Sequence, residues 1–256
     1  MKTFILCGGF GTRLDYEGTL IAKPMVRIGS QPILMHLITG YLDQGHNEFV
    51  FCLGHKANTI IDYFLIENKK KILILKKNKN YIKFSYKSGK SNFIGNLIFT
   101  GLKTGTGGRI KKAYKKMNLN EDIMMTYGDG LSNVSINNLI KFHYSKKSLV
   151  TMTAVKPKQR YGILKIKNNR INFFDNTNKK SDVYINGGFF VISREAIKKI
   201  NNYNTYWEKE PLNYFLSKKK LFAFKHNGFW KSLDTLKDKN DFNLLIQKKK
   251  KYPWKI

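Results

Sequence analysis

Cysteine is scarce in this chain, with only two residues in 256. Cys7 and Cys52 both lie in short apolar runs of the kind that form buried strands. Two buried free thiols fit a reducing compartment better than a disulfide. Long apolar runs are missing too, because none approaches the roughly 20 residues that cross a bilayer. The N-terminal run resembles the start of a signal peptide, but glycines and Arg13 interrupt it. We therefore expect a cytoplasmic protein with no membrane partner.

Acidic residues are also few: 17 Asp and Glu stand against 47 Lys and Arg, giving a net charge of +30. Such a balance occurs in proteins that bind nucleic acids or anionic membranes. Here no recognised nucleic-acid motif accompanies the charge, and the lysines form surface-like runs such as 69–71, 218–220 and 248–251. Lysine runs amid frequent Asn and Ile are what a nucleotide bias towards A and T produces at tolerant positions. We expect no specific nucleic-acid partner, although the positive field still attracts nucleoside triphosphates and sugar phosphates.

Hydrophobic residues make up 42% of the chain, which is enough for one large domain with its own core. Short apolar runs at 3–7 and 49–53 alternate with helical patterns that begin at Pro32 and near Asn58. This alternation favours a parallel, doubly wound sheet. No linker or internal repeat interrupts the pattern. We predict a single α/β domain over 1–256, with a Rossmann-like, mixed but mostly parallel sheet flanked by helices.

Two stretches fit this pattern less well. Between 68 and 98 only 72–75 and 82–86 have the pattern of strands, and the Lys- and Asn-rich remainder is predicted to be loop. Residues 100–109 are rich in Gly and Thr. We expect them to form a second loop that leads into a helix at Ile110.

A glycine-rich loop, Gly8-Gly9-Phe10-Gly11-Thr12-Arg13-Leu14, directly follows the first predicted strand. Glycines let backbone N–H groups approach a ligand closely, and open α/β sheets bind nucleotides at the carboxyl ends of their strands. Arg13 and Lys23 add positive charge that suits phosphate. The spacing is neither the dinucleotide fingerprint nor a Walker A loop, which needs Gly-Lys-Ser/Thr. For the loop alone, a tight turn is the alternative interpretation.

Two aspartates stand where predicted strands end. Asp129 follows the apolar run 123–127 between two glycines, and Asp234 follows the run 229–233. One or two carboxylates, completed by phosphates and water, are a typical Mg²⁺ site. The alternatives are structural, because Gly-Asp-Gly is a common turn and Asp before Thr is a common helix cap.

Taken together, these motifs resemble those of the sugar-1-phosphate nucleotidylyltransferases. Further segments occur in that family's order: Lys23-Pro24-Met25, Tyr127-Gly128-Asp129-Gly130, Arg160 to Leu164, Ile185 to Val191, Trp207 to Leu212 and Phe229 to Thr235. The run Thr106-Gly107-Gly108-Arg109 is most similar to the branch of the family that uses CTP and glucose 1-phosphate.

The resemblance implies transfer of CMP from CTP to α-D-glucose 1-phosphate with Mg²⁺ as cofactor, giving pyrophosphate and CDP-glucose for surface polysaccharide synthesis. Another sugar 1-phosphate, UTP or dTTP as donor, and a non-catalytic nucleotide-binding homologue are the alternatives. We also expect a homo-oligomer.

The resemblance further implies roles for individual residues. On the nucleotide side it places Leu6, Gly8, Gly9, Gly11, Thr12, Arg13, Lys23, Thr106, Gly107, Gly108 and Arg109. It implies that Arg13 and Lys23 act there as catalytic cations on the phosphates. The implied metal ligands are Asp129 and Asp234. The implied sugar-phosphate residues are Tyr127, Gly162, Asn186, Gly187, Glu208, Trp230 and Lys179.

Two departures from the family pattern bear on the acceptor. The run Ile21-Ala22-Lys23-Pro24-Met25 has one lysine fewer than the family's Lys-Pro-Lys-Pro-Met. Where the family has Glu-Lys-Pro, this chain has Asp175-Asn176-Thr177. Asn176 cannot supply the positive charge that meets the sugar phosphate, so either Lys179 or Lys180 replaces it through a local shift, or nothing compensates and the acceptor binds weakly.

Overall fold

The computed structural model describes residues 1–9, 20–89, 91–157, 163–167, 170–175, 183–249 and 252–255. The strands are β1 (Thr3–Cys7), β2 (Arg27–Ile28), β3 (Gln31–Pro32), β4 (Glu48–Leu53), β5 (Ile72–Asn78), β6 (Tyr81–Ser88), β7 (Ser91–Phe99), β8 (Ile123–Tyr127), β9 (Gly130–Ser132), β10 (Val150–Val155), β11 (Ile163–Lys167), β12 (Arg170–Asp175), β13 (Ile185–Ile192), β14 (Leu221–His226) and β15 (Trp230–Ser232). The helices are α1 (Ile33–Leu42), α2 (Ala57–Asp62), α3 (Thr106–Lys116), α4 (Ile136–Ser145), α5 (Arg194–Lys198), α6 (Glu210–Ser217) and α7 (Leu236–Lys249). Within these ranges, no helix combines the length and apolar character needed to cross a bilayer.

A nine-stranded sheet forms the centre, in the order β14-β10-β13-β8-β1-β4-β7-β6-β5. Strand β1 pairs in parallel with β4 and β8. Only β6 and β13 run against the direction of the other strands of this sheet, because each pairs antiparallel with both of its neighbours. The predicted mixed, mostly parallel sheet is therefore confirmed.

Side chains alternate across this sheet, as the pleat of a strand requires, and this alternation divides the core into two layers. Ile5 of β1 belongs to the cluster that includes residues of α1, α2, α4 and α7. Phe4 and Leu6 belong to the opposite cluster, with residues of α3, α5 and α6. Helices therefore cover both faces, as a doubly wound sheet requires. The two cysteines are buried free thiols.

The predicted loop that follows residue 86 is wrong, because β7 occupies 91–99 as the parallel neighbour of β4. Gly95 and Asn96 are unusual in a strand, since both residue types are depleted in strands. A Cβ on Gly95 would overlap the ring of the fully buried Phe84. The buried Asn96 donates to Phe49 O at 3.0 Å and accepts from the Tyr81 hydroxyl at 2.9 Å. These tertiary contacts thus explain why Gly95 and Asn96 are favourable inside this strand.

The second predicted loop, 100–109, is correct only as far as Gly105, because α3 begins at Thr106. Gly105 N donates to Tyr203 O and Gly108 N donates to Thr205 O, each at 3.0 Å. A Cβ on Gly108 would overlap Tyr203 O. The glycines therefore let the first turn of a helix lie directly against the backbone of 203–207.

Candidate active site

A cavity of about 470 Å³ opens at the carboxyl ends of β1 and β8. Its lining includes nine of the residues that the resemblance assigned to the site: Leu6, Gly8, Gly9, Lys23, Thr106, Arg109, Tyr127, Asp129 and Asp234. This position agrees with the general rule that open α/β sheets bind ligands beyond the carboxyl ends of their strands.

The two aspartates are brought together by a short antiparallel ladder. Strand β9 starts directly after Asp129, and β15 ends two residues before Asp234. Gly130 pairs with Ser232, and Leu233 N donates to Asp129 O at 2.8 Å. The ladder thus places side by side two carboxylates that are 105 positions apart in the sequence.

Lys23 bridges these carboxylates. Its Nζ lies 2.7 Å from Asp129 Oδ2 and 2.9 Å from Asp234 Oδ1. The three side chains are only 16%, 29% and 27% exposed, in the order Lys23, Asp129, Asp234. Burial lowers the pKa of Lys23, but the charges and hydrogen bonds of the two aspartates outweigh burial and hold that pKa above its ordinary value. The ammonium is therefore a fixed cation near neutral pH.

The donor set suits a hard divalent cation. Two carboxylates meet at one edge of the cavity, and Mg²⁺ typically takes one or two carboxylates and completes its shell with water and substrate phosphates. In the described part of the chain, no group of three or more His, Cys, Asp and Glu side chains forms a richer metal site. Asp129 and Asp234 therefore fit a metal that substrate phosphates help to hold, rather than one held in a cage of protein ligands.

Arg109 is enclosed by backbone rather than extended into the cavity. The residue is only 4% exposed. Its Nη1 donates to Leu53 O at 3.1 Å, to Thr100 Oγ1 at 2.8 Å and to Gly101 O at 2.7 Å. Its Nη2 donates to Gly8 O at 2.9 Å and to Leu102 O at 3.3 Å. The guanidinium thus ties the start of the first glycine loop to the loop that follows β7.

Glycines surround this guanidinium on two sides. A Cβ on Gly8 or on Gly54 would overlap it. Gly9 differs, because a Cβ there would meet nothing within 4 Å. At Gly8 the missing side chain therefore admits Arg109, whereas the sequence had indicated the close approach of a ligand.

A hydrogen-bonded cluster of polar side chains lies beside the cavity. The Tyr127 hydroxyl and Thr106 Oγ1 donate to the two carboxylate oxygens of Glu208, each at 2.5 Å. Asn186 Nδ2 donates to the Tyr127 oxygen at 3.4 Å, and Trp230 Nε1 donates to Gly187 O at 2.7 Å. Burial raises the pKa of Tyr127, and the Glu208 carboxylate raises it further, so the hydroxyl stays protonated. The cluster joins the first turn of α3 to β8 and β13.

Not every predicted site residue is placed in this way. Gly11, Thr12, Arg13, Gly162 and Lys179 lie outside the described residues. Gly107 and Gly108 belong to α3 and pack against 203–207, and neither lines the described cavity. Their roles stay predictions.

The cavity also has lining residues that sequence reasoning did not assign: Cys7, Pro24, Leu102, Lys103, Thr104, Gly128 and Tyr206. Pro24 and Gly128 already stood inside recognised motifs, and 102–104 in the predicted loop, so position in the motif was an available signal. Nothing in the sequence pattern pointed to Tyr206, because the chain segment that carries it reaches the cavity only through the packing of α3 on 203–207.

The family model for nucleotidyl transferases matches residues 2–246. The glucose-1-phosphate cytidylyltransferase of Salmonella typhimurium is 36% identical over 258 residues, covering 100% of this chain and 99% of the relative. The D-glycero-alpha-D-manno-heptose 1-phosphate guanylyltransferase of Aneurinibacillus thermoaerophilus is 29% identical over 240 residues, covering 90% and 91%.

Solved structures show the same fold. HddC from Yersinia pseudotuberculosis superposes with a TM-score of 0.69 at 25% identity, covering 96% of this chain and 99% of that one. The complex of HddC with GMP-PN gives a TM-score of 0.68 at 24% identity, with the same coverage.

Proposed function

The chain belongs to the nucleotidyl transferase family, and from this premise we propose that it transfers CMP from CTP to α-D-glucose 1-phosphate. The products are CDP-glucose and pyrophosphate, and the synthesis of surface polysaccharide is their proposed use. The choice of CTP and glucose is supported by the full-length likeness to the Salmonella enzyme. The observation that carries the chemistry is the cluster of Asp129, Lys23 and Asp234 at the carboxyl edge of the sheet.

In the proposed reaction, an oxygen of the sugar phosphate attacks the α-phosphorus of CTP while the bond to pyrophosphate breaks. Both substrates are anions, so the protein must hold them in line and offset their charge. Lys23 supplies a fixed ammonium for the phosphates, and Arg13 is proposed as a second cation. Mg²⁺ held by Asp129 and Asp234 would neutralise further charge on the triphosphate. Leu6, Gly9, Gly11, Thr12 and the start of α3 are proposed to hold the nucleotide.

The acceptor is proposed to bind at the polar cluster beside the cavity. The Glu208 carboxylate accepts hydrogen bonds from Tyr127 and Thr106, and it is exposed enough to accept further ones from sugar hydroxyls. Asn186, Gly187 and Trp230 complete this side, and Gly162 and Lys179 are proposed to lie on the sugar phosphate. Sugar sites of this kind combine a few convergent polar groups with an aromatic face.

The test is a pyrophosphate-release assay over a panel of triphosphates (CTP, UTP, dTTP, GTP) and sugar 1-phosphates (glucose, mannose, heptose). We expect CTP with glucose 1-phosphate to give the highest kcat/KM, and only when Mg²⁺ is present. Faster turnover with UTP, dTTP or GTP would refute the cytidylyl assignment, and a better sugar would refute the glucose assignment. Asp129→Asn, whose kcat we expect to be lower by more than about tenfold, is purified in the same way as a control for release from a contaminating enzyme.

A further inference from the structure

The Lys23 ammonium stands at the proposed metal ligands themselves. From this geometry we propose that Lys23 is the internal counter-cation of Asp129 and Asp234 in the nucleotide-free enzyme. A divalent cation then binds the two carboxylates only when a triphosphate has drawn Lys23 away. This inference rests on the proposed function for the identity of the metal ligands, and it adds the order in which metal and nucleotide fill the site.

The distances make the competition direct. Nζ is within 3 Å of one oxygen of each carboxylate. A divalent cation bound to the same oxygens would stand beside this ammonium in a partly buried site, where like charges repel far more strongly than in bulk water. Metal and ammonium therefore exclude one another at the carboxylates.

Lys23 is also held more firmly than a surface lysine. It opens a short 3-10 turn over Lys23–Met25, in which Pro24 and Met25 are buried. The preceding Ala22 N donates to Thr59 Oγ1 at 3.1 Å, and a Cβ on Gly128 would lie only 2.7 Å from Pro24 Cγ. The backbone that presents the ammonium is thus packed against both α2 and the loop after β8. The contacts of Lys23 with the two aspartates therefore differ from exposed ion pairs, which contribute little to stability and rearrange freely.

A triphosphate weakens the hold of the two carboxylates on Lys23 because it offers the ammonium another anionic partner in the same cavity. When Lys23 moves to the phosphates, two neighbouring carboxylates are left uncompensated, and they then attract a divalent cation strongly. By linkage, nucleotide and metal each raise the affinity of the other by the same factor. The lysine thereby keeps the ligand-free site closed to metal and couples the two binding events.

The experiment measures Mn²⁺ alone, as an EPR-visible substitute for Mg²⁺, binding to nucleotide-free protein. We expect weak binding to the wild type, and binding that is about tenfold tighter or more in Lys23→Met, because the competing charge beside the carboxylates is gone. Lys103→Met is the matched control. Lys103 lines the same cavity, so this variant removes one positive charge while Lys23 stays in place, and its Mn²⁺ affinity should remain within about twofold of the wild type. Asp129→Asn added to Lys23→Met should abolish the gain.

Equal Mn²⁺ affinity in wild type and Lys23→Met overturns the inference, and so does an equal gain in Lys103→Met. Lys23→Gln repeats the test with a polar neutral head, should the Met variant fold poorly. The wild type alone is also decisive, since tight stoichiometric Mn²⁺ binding without nucleotide that is lost in Asp129→Asn contradicts a lysine-blocked site. None of these readouts uses turnover. Failure of the proposed function would show in the pyrophosphate assay, whereas failure of this inference shows only in metal binding.

Discussion

Gly54→Ala is the sharpest test of the hydrogen bonds that hold the buried Arg109 guanidinium. Gly54 directly follows β4 and is itself buried. A Cβ at this position would overlap Arg109 Nη1 and the rest of the guanidinium. The end of a long side chain usually moves aside at little cost. Here it is held by four backbone carbonyls and one hydroxyl, so it can move only by giving up hydrogen bonds.

The size of the effect follows from those bonds. Displacing Nη1 removes its charge-assisted bonds to Leu53 O, Thr100 Oγ1 and Gly101 O, each worth about 1.5–3 kcal/mol where the acceptor has no other partner. Leu53 O keeps other partners, because Thr100 N and Thr100 Oγ1 also donate to it. We therefore expect a net loss of about 2–4 kcal/mol in the free energy of unfolding. For a chain of this size, such a loss lowers Tm by roughly 5–15 °C.

Thermal unfolding of four proteins provides the assay: wild type, Gly54→Ala, Arg109→Met and the double variant. If the added methyl acts through the guanidinium, it costs far less once Arg109 is gone, and the double variant melts close to Arg109→Met. Gly40→Ala is the control within a helix. Its Cβ would meet nothing within 4 Å, and it should stabilise α1 by up to about 1 kcal/mol. Fully additive losses in the double variant, or a Tm of Gly54→Ala equal to that of wild type, would refute the reasoning.

Other predictions concern the site and its surroundings. Asp129→Asn and Asp234→Asn should each lower kcat by more than about tenfold with unchanged far-UV circular dichroism; near-normal turnover at saturating Mg²⁺ would mark them as turn and cap residues. Glu208→Gln should raise the acceptor KM by roughly ten- to a hundredfold while the KM for CTP stays constant, with the exposed Glu210→Gln as control; an unchanged acceptor KM would exclude Glu208 from the sugar site. Burial raises the pKa of Cys52 to about 12 and that of Cys7 well above its ordinary value. A thiol reagent at mildly alkaline pH should therefore label neither cysteine before the protein unfolds. Rapid labelling of the native protein would contradict this burial. Nucleic-acid binding should be weak, independent of sequence and steeply reduced by salt; a tight complex with one defined sequence at physiological salt would contradict this expectation.

Much of the fold could be predicted because strands and helices alternate with clear apolar patterns from β1 to α2. Strand β7 could not, since Gly95 and Asn96 are poor strand residues judged locally. Both are explained only by partners on neighbouring strands, namely the Phe84 ring of β6 against Gly95 and Phe49 O of β4 as acceptor for Asn96. The start of α3 was misplaced for a similar reason. Its glycines match a loop by composition, and they serve a close backbone contact with 203–207.

The two carboxylates of the site could be predicted from the sequence because Asp129 and Asp234 each follow an apolar run. The short distance between them could not be predicted, since it depends on the register of β9 against β15. The ion pairs of Lys23 with both carboxylates were even harder to predict. A lysine after a glycine-rich loop predicts a phosphate partner, and the sequence gives no sign that two carboxylates lie within 3 Å of its ammonium.

Arg109 shows why a cation in a glycine-rich motif is ambiguous. A guanidinium has five donors in a fixed fork, and it is stable wherever enough acceptors face it. A triphosphate offers such acceptors, and so do the carbonyls that end β4 and follow β7. Glycines favour both outcomes, because removing Cβ admits a ligand or a side chain equally well. In the described structure the chain's own carbonyls hold this arginine. Among the described residues that line the cavity, the positive charge that can face phosphates is therefore carried by lysines such as Lys23 and Lys103, while Arg109 holds together the two loops that it joins.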